Sequence, residues 1–303
     1  MKMEKLTPST NILYDIDIHN FISSNTNKDL SIIYFSNHSD KNLCSSISNI
    51  ISIDSVSMPS HFLVAKYIKP ILRNFNSKEI LIAIDIDDNV SFMYMKYLIS
   101  NLIYLFKLFK QYHIQFNFNY KVYPIVSILS CSSGNPYFND ICIALKTLLI
   151  NSKKAQYEII YDYICKYLDD EFSSKKICGF CNNICDASRA GYTKYKFNGC
   201  CYTINYGLGG VVLSHTPCQY LVNGHCIANC ISCKLHTCYF LRLKNIEYTT
   251  QSILLLNCFF SYKQHMVLRN NFFKKKEEII IKLLHVNYIP SIFYYPLGMY
   301  KIN

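Results

Sequence analysis

The sequence predicts an α/β (or α+β) N-terminal region, a loop-rich cysteine module and a C-terminal helical segment. Before residue 174, short apolar runs alternate with stretches of helical periodicity. Ten of the fifteen cysteines and seven of the nine glycines then lie between residues 178 and 238. Helical periodicity returns beyond that stretch. We therefore divide the chain into an α/β region at 1–174, a cysteine module at 175–245 and a C-terminal extension at 246–303 that packs on the rest.

Strands and helices alternate along the first region. SIIYFS at 31–36 and EILIAIDI at 79–86 are apolar runs typical of strands buried on both faces. Helical periodicity covers 59–75 and 90–112. Strict alternation of apolar and polar residues over 114–122 predicts a strand with one face exposed to solvent. A further strand at 124–130 leads into helices at about 137–150 and 154–171. This order predicts a sheet that is at least partly parallel.

The last region is predicted to be mainly helical. Residues 252–264 form a strand or a helix, 274–285 form a helix, and the final residues form a short strand or tail. The net charge is +11, but only Lys274–Lys276 forms a run of basic residues. Because Glu277 and Glu278 follow directly, we interpret the run as a solvated helix start, with a nucleic-acid patch as the alternative.

The sequence predicts a cytoplasmic chain without a membrane segment. The N-terminus has no apolar core of a signal peptide, and the apolar stretch 92–109 is interrupted by Lys96 and Lys107. In a reducing compartment, clustered cysteines indicate metal or redox chemistry more often than disulfides. Five isolated cysteines in apolar surroundings are instead expected to be small buried hydrophobic residues. These are Cys44, Cys131, Cys142, Cys165 and Cys258.

The clustered cysteines predict that metal organises the module. A C-x2-C pair lets two thiolates converge on one tetrahedral ion, and both zinc and a cubane iron–sulfur cluster need four protein ligands. Ten cysteines suffice for two such sites, so we expect zinc or an iron–sulfur cluster. Any of His215, His225 and His236 could replace a thiolate. The predicted metal ligands are Cys178, Cys181, Cys185, Cys200, Cys201, Cys218, Cys226, Cys230, Cys233 and Cys238.

The spacing Cys226-x3-Cys230-x2-Cys233 resembles the cluster-binding triad of radical S-adenosylmethionine enzymes. In that family the triad follows the first strand of a barrel, and most of the barrel comes after it. Residues 234–303 are too few for such a barrel, and Ser232 stands where that family usually has an aromatic residue. An iron–sulfur oxidoreductase or radical enzyme that uses these three cysteines is therefore an alternative function.

A second resemblance covers residues 199–242. Cys200-Cys201, Cys218 with Leu221, Cys226, and Cys238 before an aromatic residue resemble the cysteine-cluster family of zinc- or iron-chelating domains. Cys230 and Cys233 are additional to that pattern. The resemblance implies chelation and no particular substrate.

The predicted function is thus a cytosolic metal-binding protein, with no reaction assigned. A third alternative is a zinc-stabilised protein that binds nucleic acid or a protein partner. It rests on basic residues that alternate with tyrosines near the module. These residues are Lys194, Lys196, Lys234, Arg242 and Lys244, with Tyr192, Tyr195 and Tyr239.

Two loops of the first region could bind small ligands. Asp85, Asp87 and Asp88 either hold Mg²⁺ or belong to a turn in which Asp88 or Asn89 caps the next helix. The stretch 131–140 either binds an anion through Ser132, Ser133 and the backbone of Gly134 or forms a turn before a Pro-initiated helix. Both loops follow predicted strands, so we expect them at the same edge of the sheet.

Overall fold

The computed structural model describes thirteen parts of the chain, which include two single residues. These are residues 12–14, 20, 24, 30–36, 50–54, 79–115, 125–130, 134–175, 177–181, 184–185, 202–206, 212–222 and 225–286. The chain divides into two compact units, Met1–Asn151 and Ser152–Asn303. The predicted boundary at residue 174 therefore lies inside the second unit.

The first unit is built on a five-stranded parallel sheet. The strands are β1 (Ile12–Tyr14), β2 (Leu30–Ser36), β3 (Ile50–Asp54), β4 (Glu79–Asp85) and β5 (Ile125–Ser130), in the spatial order β1-β5-β4-β2-β3. The described residues of this unit also form the helices α1 (Phe92–Gln115) and α2 (Phe138–Leu149). Every described strand pair in this sheet is parallel, which confirms the predicted α/β class.

The strands at the centre of the sheet are buried on both faces. The four successive residues Ile32–Phe35 of β2 and Leu81–Ile84 of β4 are all buried, although alternate residues point to opposite faces. Helix α1 buries Met95, Leu98 and Leu102, which recur at helical spacing. The apolar runs were therefore a reliable signal for these strands.

The structure corrects the bounds of several predicted helices and strands. The helix α1 continues to Gln115, so Ile114 and Gln115 are helical and do not open the predicted strand over 114–122. Residues 116–124 and the predicted helix at 59–75 lie outside the described residues. The ambiguous segment 252–264 is helical in two pieces. The strands β1 and β3 were not predicted.

The second unit combines helices with short two-stranded ladders. Its helices are α3 (Lys153–Ser174), α4 (Ile231–Leu235), α5 (Tyr239–Leu243), α6 (Leu254–Phe259), α7 (Tyr262–Asn270) and α8 (Lys276–His285). Its strands are β6 (Phe180–Cys181), β7 (Ile184–Cys185), β8 (Tyr202–Tyr206), β9 (Val212–Pro217), β10 (Leu221–Val222) and β11 (His225–Cys226). They pair as β6–β7, β8–β9 and β10–β11, all antiparallel.

A buried glutamine joins three helices of this unit. Gln264 donates from Nε2 to the Tyr157 hydroxyl at 2.6 Å and to the Leu283 carbonyl at 2.9 Å. Its Oε1 accepts from the backbone N–H of Ser261, whose hydroxyl accepts from the Gln264 N–H in return. This reciprocal pair is a capping box at the start of α7. One side chain thus links α3, α7 and α8.

Gln264→Leu should loosen this unit, because it removes the hydrogen bonds that Gln264 makes with Ser261, Tyr157 and Leu283. A buried polar group that loses its partner costs about 1–3 kcal/mol. We expect peptides from α7 and α8 to lose most of their protection in amide hydrogen exchange measured by mass spectrometry. The control Gln219→Leu changes an exposed glutamine of the same unit and should leave protection unchanged. Equal protection in both variants would contradict the structural role of Gln264.

Candidate metal centre

The ten predicted ligands are distributed over hairpins, helix starts and undescribed parts of the second unit. Cys200 and Cys201 lie outside the described residues, as do the side chains of Cys181, Cys185 and Cys226. Among the remaining five, Cys218, Cys230 and Cys233 are buried, whereas Cys178 and Cys238 are half-buried. The structure thus describes the side chains of five of the ten predicted ligands.

Two cysteine-bearing hairpins share one pattern. In each, a cysteine precedes the first strand and another lies on the second strand, directly opposite an apolar residue. Cys185 pairs in register with Phe180, and Cys226 pairs with Leu221. A further backbone hydrogen bond of 2.8 Å, from Ile227 N–H to Tyr220 C=O, extends the second hairpin. Within the described residues of the module, these two hairpins are the regular elements that carry Cys185 and Cys226.

The Cys230–Cys233 pair lies at the start of α4 and faces the loop 271–275. Each cysteine is only 2 % exposed. The backbone N–H of Phe273 donates to Cys233 Sγ at 3.3 Å. Cys230 Sγ lies 3.3 Å from the carbonyl oxygen of Asn271, to which its thiol donates when protonated. One C-x2-C pair is thus held against backbone groups about forty residues further along the chain.

The surroundings of the pair favour the thiolate. A hydrogen bond with the Cys233 side chain is the main reason that the pKa of Cys230 falls from 9.0 to about 6. Burial opposes this shift, whereas the backbone N–H groups of Cys233, Lys274 and Phe273 support it. The Asn271 carbonyl favours the protonated thiol, but it is one acceptor against several donors. The thiolate is the form that binds metal ions.

Cys165 shows how an isolated buried thiol differs. Burial is the largest effect there and raises its pKa from 9.0 to about 12, although Lys234 opposes the rise. Cys165 is buried as predicted, whereas Cys142 and Cys258 are half-buried. Cys44 and Cys131 lie outside the described residues. Burial alone therefore does not produce the environment of Cys230; the hydrogen bonds around it do.

Two buried hydroxyl groups position the pair. The Tyr161 hydroxyl, on α3, accepts from Ile231 N–H at 3.0 Å and donates to Asn229 C=O at 3.1 Å. Ser232 Oγ donates to Leu268 C=O at 2.6 Å and accepts from Asn271 N–H at 3.2 Å. Tyr161 thus fixes the turn around Cys230, and Ser232 fixes the start of the facing loop.

Sequence reasoning missed the facing loop and both hydroxyl groups. Phe273 has a positive φ of 60°, a conformation that costs a bulky residue roughly 1–2 kcal/mol. The N–H that reaches Cys233 belongs to this residue. Gly or Asn would have signalled such a turn in the sequence, whereas Phe does not.

The described side chains do not complete a metal site. Among them, no group of three or more His, Cys, Asp or Glu side chains lies close enough together to hold a metal ion. His236, one of the three candidate histidines, packs its ring edge-on against Phe272 at 5.5 Å between centroids. Of the ten predicted ligands, the described side chains bring Cys230 and Cys233 together as one hydrogen-bonded pair.

Lys234 does not belong to an exposed basic surface. Its side chain is 6 % exposed and forms an ion pair with Asp169. Arg242 and Lys244 are exposed, as predicted. The other members of that predicted surface, residues 192–196, lie outside the described part, and so does the Tyr239 side chain.

The two candidate loops of the first unit do share one edge of the sheet. Asn135 Nδ2 donates to the carbonyl of Asp87 at 2.9 Å, and Asn135 Oδ1 accepts from Tyr137 N–H at 2.8 Å. Asp85 accepts a 2.8 Å hydrogen bond from the Tyr34 hydroxyl. The prediction of a shared edge is therefore confirmed.

The more detailed predictions for the first loop need correction. Asp85, Asp87 and Asp88 are all described, yet they do not form a group that could hold Mg²⁺. The helix α1 is capped by Ser91, whose hydroxyl accepts from Tyr94 N–H at 3.1 Å. Asp88 and Asn89 lie too early in the chain for that role, because α1 begins only at Phe92. Ser132 and Ser133 lie outside the described residues.

Within the described ranges, no helix combines the length and apolar character needed to cross a membrane. No protein-family model, no curated protein and no solved structure matches this chain. The two family resemblances inferred from the cysteine spacing therefore stay predictions.

Tyr161→Phe should expose the cysteine pair, because it removes the partner of the buried Ile231 N–H and of the part-buried Asn229 C=O beside Cys230. A loss of about 1.4 kcal/mol corresponds to about tenfold more frequent opening. We expect iodoacetamide to label Cys230 and Cys233 of the metal-free variant about tenfold faster, as read by peptide mass spectrometry. The control Tyr262→Phe changes an exposed tyrosine and should label at the wild-type rate. Equal rates for both variants would contradict the positioning role of Tyr161.

The cysteine pair should lose its first proton well below the pH of a free thiol. Because its pKa is lowered, the thiolate is present above about pH 6 in metal-free protein. The ultraviolet thiolate absorbance of the wild type, minus that of Cys230→Ser/Cys233→Ser, should rise around that pH. A difference curve that rises only near the unshifted thiol pKa of 9.0 would show that the N–H groups do not act as inferred.

Proposed function

We propose that the cysteine module of this protein chelates zinc or an iron–sulfur cluster, and that Cys230 and Cys233 supply two of the ligands. The observation that supports this is the pair itself: two buried thiols at C-x2-C spacing, surrounded by backbone N–H donors. Such donors stabilise negative charge on sulfur, which a metal-bound thiolate requires. A purely apolar role would need none of them.

Tetrahedral zinc needs two further ligands beyond the pair. We propose that they come from the hairpins, since these place Cys185 and Cys226 at matching positions on their second strands. The second hairpin is adjacent to the site, because the Tyr220 ring stacks on Phe273 at 6.1 Å between centroids. Cys178, Cys181, Cys200, Cys201, Cys218 and Cys238 are the candidates for the remaining positions and for a second site.

The radical-enzyme alternative has less support than chelation. After Cys233 the structure describes residues 234–286 without a gap, and this part contains helices α5–α8 and no strand. A barrel that follows the triad would place strands there. An iron–sulfur cluster that transfers electrons is compatible with the cysteine pair, so the identity of the metal is the deciding question.

Elemental analysis of protein purified without oxygen tests the proposal. We expect wild-type protein to contain stoichiometric zinc or iron, and Cys230→Ser/Cys233→Ser to lose about one metal centre's content. The control Cys142→Ser/Cys258→Ser changes two half-buried cysteines outside the predicted set and should keep the full content.

The same preparation identifies the metal. Colourless protein with zinc would contradict the iron–sulfur alternatives, whereas brown protein with iron and sulfide would support them. Wild-type protein without zinc or iron would overturn the proposal. So would a double variant that keeps all of its metal.

A further inference from the structure

The loop 271–275, which joins α7 to α8, presents two exposed aromatic rings. Phe272 is 38 % exposed and Phe273 is 47 % exposed. The backbone beneath them is fixed, since Asn271 N–H donates to Ser232 and Phe273 N–H donates to Cys233. Large apolar side chains that remain exposed on a well-anchored loop are candidates for contact with a ligand.

The two rings have defined orientations. Phe273 and Tyr220 are stacked, with 6.1 Å between centroids and 12° between planes. Phe272 meets the His236 ring edge-on at 5.5 Å. Neighbouring rings already hold Phe272 and Phe273 on one side. Each can therefore stack on a planar group with little further loss of rotamer freedom.

Positive charges lie directly beside the rings. Lys274, Lys275 and Lys276 follow them, and Arg269 precedes them at the end of α7. Lys274 pairs with Glu278 at 3.4 Å and Lys276 with Asp162 at 2.6 Å. Arg269 and Lys275 are exposed. With the exposed Glu277 also counted, four cations (Arg269, Lys274, Lys275 and Lys276) and three carboxylates (Asp162, Glu277 and Glu278) leave this surface a net charge of +1.

Lys275, at the N-cap of α8, and Phe273 are not the residues that folding alone would select at their positions. Cations are disfavoured at the start of a helix, where the helix dipole is positive, and α8 begins at Lys276. Phe273 adopts a positive φ that favours glycine. Residues that oppose the local preferences of the chain tend to mark functional positions.

We propose that the loop 271–275 binds single-stranded nucleic acid, with bases stacked on Phe272 and Phe273 and phosphates contacting Lys275 and Arg269. Aromatic platforms beside a basic groove are the usual means of binding single strands without sequence preference. An acidic protein would engage the charges but gain little from flat rings, and an anionic membrane would favour aliphatic side chains as much as aromatic ones. The proposal goes beyond metal chelation and does not require the metal.

Fluorescence anisotropy with a labelled oligouridine of about 12 nucleotides tests the proposal on the full-length protein as purified. Phe272→Leu/Phe273→Leu should weaken binding about tenfold, because leucine keeps the apolar character but cannot stack. Phe272→Tyr/Phe273→Tyr should bind within about twofold of wild type, since tyrosine stacks equally well. Lys275→Glu should weaken binding and reduce the slope of log affinity against log salt by about 0.7.

The matched control is Tyr262→Leu/Lys263→Glu, an exposed aromatic and an adjacent lysine at the opposite end of α7, about 13 Å away along the helix. It should bind like wild type, and circular dichroism should show that all variants are folded. The proposal is overturned if wild-type protein does not bind the oligonucleotide, or if the leucine variant binds it as wild type does. It is also overturned if phosphatidylserine vesicles, and not the oligonucleotide, are bound in a Phe272- and Phe273-dependent manner.

Discussion

The hydroxyl group of Tyr161 bonds to the peptide groups on both sides of Cys230, and the candidate site depends on that contact. It accepts from Ile231 N–H and donates to Asn229 C=O inside the second unit. Burial raises the pKa of this phenol far above its usual range, so it stays protonated and can act as both donor and acceptor. The turn that carries Cys230 is thereby fixed to α3, the longest helix of the unit.

Both units have a hydrophobic core, and in the second unit buried polar side chains also join the elements. In the first, central strands buried on both faces and helices such as α1 form a hydrophobic core, and polar contacts such as Asn135 with Asp87 lie at its edge. In the second, polar side chains join the elements internally. Gln264 links three helices, Ser232 links α4 to the end of α7, and Lys234 is buried against Asp169. Each of these buried polar contacts is sensitive to the loss of one partner.

Apolar periodicity predicted β2, β4, β5 and the long helices, because burial on both faces or along one stripe leaves a mark in the sequence. The strands β1 and β3 were missed, since three and five residues are too few to show a period. Cysteine spacing placed Cys230 and Cys233 among the ten predicted ligands and in one triad with Cys226. It could not predict the loop that faces them, because that contact depends on the backbone angle of Phe273 and on a turn distant in the chain.

X-ray absorption spectroscopy of the purified protein, at the edge of the metal that it contains, tests the central claim most directly. Thiolate ligation predicts a first shell of sulfur at about 2.3 Å. The account further predicts that this sulfur shell is lost or reduced when Cys230 and Cys233 are both replaced by serine. A first shell of nitrogen and oxygen alone, at about 2.0–2.2 Å, would contradict it, as would a sulfur shell that the double replacement leaves unchanged.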